Sequence, residues 1–155
     1  MNREILFRGQ HRRKGEKVKL DGTPVESKWV YGGICQFNED RSIIYQTEPE
    51  FQKYSVYTDT VGQYTGLKDK NGRKIFEGDI VRRFNRNGQE IMSYVVEWYS
   101  DCCMFVLDCI DFDMEFDTDF TVYYGDEFEI IGNIHDNPEL VRKDEENGNE
   151  LDSGV

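Results

Sequence analysis

Apolar and polar positions alternate in short runs along most of the chain, with Gly, Asn and Asp punctuating them. Half-buried β-strands joined by tight turns produce this pattern. No sustained helical period precedes the last quarter. The alternation predicts strands over residues 4–9, 29–37, 42–46, 54–57, 80–84, 91–98, 104–107 and 128–134. Residues 10–28 are polar and basic, with Gly15, Gly22 and Pro24, and read as a loop or a ragged hairpin. Asn71-Gly72 and Asn87-Gly88 suit tight turns, because both residue types tolerate positive φ. Gly32-Gly33 marks a kink or bulge, and Gly78-Asp79 a turn between two apolar runs.

Two later segments carry their own expectations. Residues 111–117 alternate acid and apolar side chains; a strand there buries Phe112, Met114 and Phe116 and presents four carboxylates. Asn137 followed by Pro138 reads as the N-cap and first position of a short C-terminal helix. Beyond it, residues 143–155 hold no aromatic and six ionised side chains. The expected organisation is a single mostly β domain over residues 1–141 and an acidic disordered tail over 142–155.

The chain has 155 residues, enough for one domain that buries roughly 68–70% of its unfolded surface. Its formal charge is −12. That acidity argues against a general DNA or RNA binder and against docking on anionic lipid. The charge is uneven: residues 1–28 carry +4, residues 29–100 carry −1 and residues 101–155 carry −15. Such asymmetry can steer partners or favour head-to-tail association of copies. The N-terminus has neither a signal-peptide pattern nor a spanning run, and the four cysteines, Cys35, Cys102, Cys103 and Cys109, form no C-x-x-C pair. Free thiols in a cytosolic chain are the expectation.

No motif names a reaction. The segment 66–74 lacks the Gly-Lys-Ser/Thr ending of a phosphate loop and reads as a basic β-turn. Its Lys68, Lys70, Arg73 and Lys74 project near an exposed tip and are candidate partner contacts. Counted from Asp111, the sixth position is Phe116 and the twelfth Val122, so the EF-hand pattern fails. Asp111, Asp113, Glu115 and Asp117 instead form a row of charges, a second candidate contact and a candidate mimic of DNA phosphates. Neither His11 nor His135 lies in a recognisable catalytic motif. The reading assigns no catalytic residue, metal or cofactor. The aromatics fall mainly in strands and pack a core; stacking on single-stranded nucleic acid is the alternative.

Three pieces together resemble the YopX family of phage and prophage proteins. They are the opening Arg3-Glu4-Ile5-Leu6-Phe7-Arg8-Gly9, the long segment 61–81 and the closing segment 129–140 with Gly132-Asn133-Ile134-His135-Asp136-Asn137-Pro138. Trp29-Val30-Tyr31-Gly32 and Val95-Val96-Glu97-Trp98 fit the same pattern. The resemblance implies a small barrel-like core of short antiparallel strands, encoded by a phage or prophage and working in the host cytoplasm. It supplies no enzyme chemistry. The expected role is therefore an accessory protein that binds a protein partner or itself, without acting on membranes. The alternative is a nucleic-acid-related role, through the basic loops or by mimicry.

Overall fold

The computed structural model describes residues 3–111, 118–119 and 127–141. Among the described residues, eleven strands form two antiparallel sheets. The first six are β1 (Phe7–Arg12), β2 (Lys28–Gln36), β3 (Arg41–Gln46), β4 (Gln52–Tyr57), β5 (Gly62–Lys68) and β6 (Lys74–Phe76). They make one sheet in the order β4-β3-β2-β1-β5-β6. The rest are β7 (Asp79–Phe84), β8 (Glu90–Tyr99), β9 (Met104–Cys109), β10 (Thr118–Asp119) and β11 (Phe128–Asn133). They make the second sheet in the order β10-β9-β8-β7-β11.

Turn chemistry sets these hairpins. In the β7–β8 turn, Asn85 Oδ1 accepts from the Asn87 and Gln89 amides, both at 2.9 Å, and Gly88 takes φ +75°. In the 10–28 segment Val18 bridges Pro24 and Lys19 N donates to Thr23 O, so of the loop or ragged hairpin expected there the hairpin forms. The larger core joins Ile75 of the first sheet to Val81, Tyr94, Val96, Leu107, Phe128 and Ile130 of the second. The smaller one, Val30, Ile44 and Val56, lies within the first sheet.

Two expectations are corrected. Among the described residues the sheets form no closed barrel. The first sheet curls until β1 meets β4, and a Cβ on Gly9 would stand 2.8 Å from Val56 Cγ2. The joining bonds run through side chains: His11 Nδ1 donates to Ser55 O at 2.8 Å and Gln10 N donates to Thr60 Oγ1 at 2.8 Å. A backbone ladder, which closure requires, does not form between these strands. Second, among the described residues the C-terminal helix is only a single 3₁₀ turn, Pro138–Leu140. Asn137 does not cap it; its Oδ1 accepts from the Asn133 amide at 3.3 Å, so its side chain serves the end of β11 instead. The first strand is also displaced: Gly9, expected at its end, lies inside β1. The tail and the residues 112–117 lie outside the described residues.

Candidate functional site

The segment from β5 to β7 crosses from one sheet to the other, and its turns are built for that crossing. Asp69 is buried and its Oδ1 accepts from the Asn71 and Arg73 amides, both at 2.9 Å. Its Oδ2 accepts from the Ile130 amide at 3.1 Å. Lys70 N donates to Phe128 O at 2.9 Å. The turn therefore covers the outer edge of β11, which would otherwise expose unpaired backbone groups. Further on, Gly78 takes φ +83°, its N–H donates to Val96 O at 2.8 Å and its carbonyl accepts from Ile134 N at 2.9 Å. One glycine thus stitches the crossover into the second sheet.

A cleft of about 420 Å³ opens at this seam. Leu6, Arg8, Tyr31, Phe76 and Ile130 line it together with Arg73, Lys74 and Asp79. Arg8, on β1, is only 7% exposed. Its guanidinium lies 4.6 Å from the Trp29 ring centroid and 4.9 Å from that of Phe76. Nη2 reaches Asp79 Oδ1 at 2.7 Å and donates to Glu77 O at 3.3 Å. Its Nε is buried without a hydrogen-bond partner. A buried donor left unmade costs roughly 1–3 kcal/mol, so such a group marks either strain or a place for a ligand. Asp79 is fully engaged: besides Arg8, its Oδ2 accepts from the Phe76 amide at 2.8 Å. Burial raises its carboxyl above the ordinary value, outweighing the opposing pull of Arg8. Burial likewise raises the neighbouring Glu77.

A second, smaller pocket of about 200 Å³ lies across the same crossover, lined by Asp59, Glu77, Glu97, Trp98 and His135 among others. Burial holds His135 below the ordinary imidazole value, against the opposite pull of Asp59. Asp136 beside it anchors three donors: Gln10 Nε2 at 2.9 Å, Trp29 Nε1 at 2.7 Å and Asn133 Nδ2 at 3.0 Å. Burial works against its charge, but these donors and Ser27 outweigh it and hold the carboxyl below the usual range. Among the described residues, no group of three or more His, Cys, Asp or Glu is placed to hold a metal ion. Nor is any helix long and apolar enough to cross a membrane.

The sequence-named candidates separate in this geometry. Arg73 and Lys74 line the cleft. Arg73 Nη1 donates to Ile130 O at 3.5 Å, and Lys74 Nζ pairs with the exposed Glu4 at 2.5 Å. Lys70 is engaged with Glu129 at 2.8 Å and lies over the Phe84 ring. Lys68 is exposed at the end of β5, paired in register with Lys74. Asp111 Oδ2 accepts from the Ser93 amide at 2.6 Å and so extends the β8–β9 pairing past Tyr94↔Cys109. Asp113, Glu115 and Asp117 lie outside the described residues. Arg8, Tyr31 and Asp79 were not named as partner contacts; Tyr31 was expected as a strand aromatic, and Asp79 as an acceptor for nearby backbone donors, as the Phe76 amide shows. An arginine flanked by Phe7 and Gly9 in a short apolar strand was the one available signal for Arg8.

At the crossover end of the second sheet, Trp98 and Tyr99 lie beyond the last β7–β8 pair, Ile80↔Val95, with Trp98 against the smaller pocket. They pair only with Phe105 and Met104 of β9 in the hairpin that overhangs there. Trp98 is 43% exposed and Tyr99 46%.

The family model described as YopX protein matches residues 7–142, and the chain belongs to that family. The matched stretch includes Arg8, Tyr31, Arg73, Lys74 and Asp79. Among solved structures, the chain is similar to the crystal structure of protein EF1440 from Enterococcus faecalis. The two share 21% identity with a TM-score of 0.46, over 91% of this chain and 100% of that one. No curated protein matches.

Proposed function

We propose that this YopX-family protein is a phage- or prophage-encoded accessory of the bacterial cytoplasm that acts by binding, without catalysis. Its partner is a protein, with a second copy of the chain as one candidate. The observation that supports this reading is the overhanging β8–β9 hairpin, which presents Trp98 and Tyr99 about half exposed. Large amphipathic aromatics on a projecting edge are the residue types that dominate protein interfaces. Two arms test it: light scattering after size exclusion across a concentration series, and affinity capture from host lysate. Each is run with the chain and with Trp98→Ala/Tyr99→Ala. Self-association or capture that the double variant abolishes supports the reading. A monomer whose captured proteins are unchanged by the substitutions overturns it.

A nucleic-acid role is the second reading, favoured by one observation: Arg73 and Lys74 stand beside Tyr31 and Phe76 on the same cleft. Anisotropy of labelled single- and double-stranded oligonucleotides tests it. Binding that weakens steeply with salt and with Arg73→Ala supports it, whereas absence of binding at low salt removes it.

A further inference from the structure

We propose that the cleft at the sheet seam is a binding site for a small organic anion with a planar apolar body. Nucleoside monophosphates and aromatic carboxylates share that chemistry. The inference stands apart from the hairpin reading and uses none of its residues.

The first support is charge. In a chain of net charge −12, three cations, Arg8, Arg73 and Lys74, converge on one cleft with a single carboxylate, Asp79. That carboxylate already engages Arg8 and the Phe76 amide, one partner on each oxygen. The cleft is thus locally inverted relative to the surface around it.

The second is an unmet donor. Arg8 is buried and its Nε has no hydrogen-bond partner, although its other contacts are close and well formed. Two aromatic rings lie against its guanidinium, so its positive charge is held beside the cleft before a ligand arrives. Arg73 makes only one long bond, to Ile130 O at 3.5 Å, and the Lys74 partner Glu4 is exposed on the rim. Both can be recruited by an oxyanion at little loss, since exposed ion pairs contribute little.

The third is shape. A volume of about 420 Å³ lies within the size range of small-molecule sites, which pair an apolar lining with a few fixed polar groups. Tyr31 and Phe76 form an aromatic wall with centroids 5.5 Å apart, and Leu6 and Ile130 add aliphatic surface. A bare inorganic anion would leave that wall unused. A recessed guanidinium at 7% exposure favours a small ligand over a polymer backbone that must track a surface.

Calorimetry and thermal shift on the whole chain test this with AMP, benzoate, inorganic phosphate, adenosine and a short single-stranded oligonucleotide. Saturable binding of AMP, benzoate or both is expected, and the arm that binds identifies the source of the anion. Inorganic phosphate and adenosine should bind at least about tenfold more weakly than the best planar anion. Arg73→Ala should weaken that anion about tenfold, the size of one charge-assisted hydrogen bond. Tyr31→Ala should weaken it while leaving phosphate unchanged. Both residues line the rim, and an unchanged melting temperature without ligand verifies that the variants fold. Absence of binding by both planar anions at about 10 mM overturns the proposal, because a built site of this kind should exceed that affinity. So does equal affinity for inorganic phosphate, or indifference to Arg73→Ala. An oligonucleotide binding more tightly than AMP overturns it in favour of a nucleic-acid surface.

Discussion

The Arg8 guanidinium meets Asp79 Oδ1 at 2.7 Å, and this buried pair ties β1 of the first sheet to the first strand of the second. Removing one partner leaves an uncompensated buried charge, so Arg8→Met and Asp79→Leu should each destabilise the fold by about 3–5 kcal/mol. Arg8→Met combined with Asp79→Leu should cost less than the sum of the singles, because no buried charge remains. The residue of the cost reflects the Phe76 amide, which loses its acceptor. Urea unfolding of the four proteins measures the coupling; strict additivity would show that the pair is energetically silent.

Acid should weaken the fold through His135. Burial depresses this imidazole below 6.5, so the unfolded chain takes up a proton first as pH falls. Its contribution is present above 6.5 and is lost as pH falls through the folded value. Asp79 and Glu77 act in the opposite sense, because their raised carboxyls bind protons more readily in the folded chain. Their burial penalty eases as pH falls towards their ordinary values, 3.8 and 4.5. Comparing denaturation midpoints of the chain and His135→Gln from neutral pH to below 6.5 isolates the imidazole: the difference between them should shrink on acidification.

Glycine is required at the crossover and dispensable at position 33 of β2, where the bulge expected at Gly32-Gly33 does not form: the β1–β2 register shifts at Gln10/Arg12 instead. Gly78 takes φ +83° with room for a methyl group, the nearest atom being 3.6 Å away, so Gly78→Ala suffers backbone strain alone. The expected loss is about 1–2 kcal/mol. Gly33 has nothing within 4 Å of a Cβ and no positive φ, so Gly33→Ala should stay within about 0.5 kcal/mol of the parent. Denaturant midpoints at unchanged m-value check both.

Asp69 should act as the clasp between the turn and β11. Asp69→Ala leaves the Ile130 amide without its acceptor and should cost about 1–3 kcal/mol. Hydrogen exchange at that amide should accelerate in the variant. Lys68→Ala, on the exposed neighbour, should alter neither quantity.

Thiol reactivity should divide three to one. Cys35, Cys102 and Cys103 are exposed and Cys109 is buried in the larger core. A thiol-specific reagent should titrate three groups in the native chain and the fourth only on unfolding.

The strands were legible because alternation reports directly on which face of a strand is buried. Residues 42–46 and 80–84 were expected as strands and form β3 and the body of β7. Strand β5 was missed: Gly62, Gly66 and Thr65 dilute its apolar signal; Gly62 answers to packing, since a Cβ there would stand 2.5 Å from Glu77 O, and Gly66 to its φ of +93°. Lys68, Lys70 and Arg73 of the basic tip are exposed and Lys74 is half-buried, but the bonds the tip makes to β11 had no local signal. Lys70 and Arg73 are partly spent on β11, a strand 57 or more positions away, and no local pattern reports that distance. The helix reading failed for the same reason: Asn137 satisfies β11 rather than a helix end.

Sequence by itself determined what depends on neighbours along the chain: the strand content, the Asn-Gly turns, the uneven charge and, through its quoted motifs, membership of the YopX family. Tertiary structure alone decided that the sheets stay open, that Asp69 and Gly78 join them, and that Arg8, Tyr31, Arg73 and Lys74 share one cleft. Those outcomes rest on contacts between strands far apart in the chain, where burial, charge pairing and unmet hydrogen bonds are fixed only once the sheets have met.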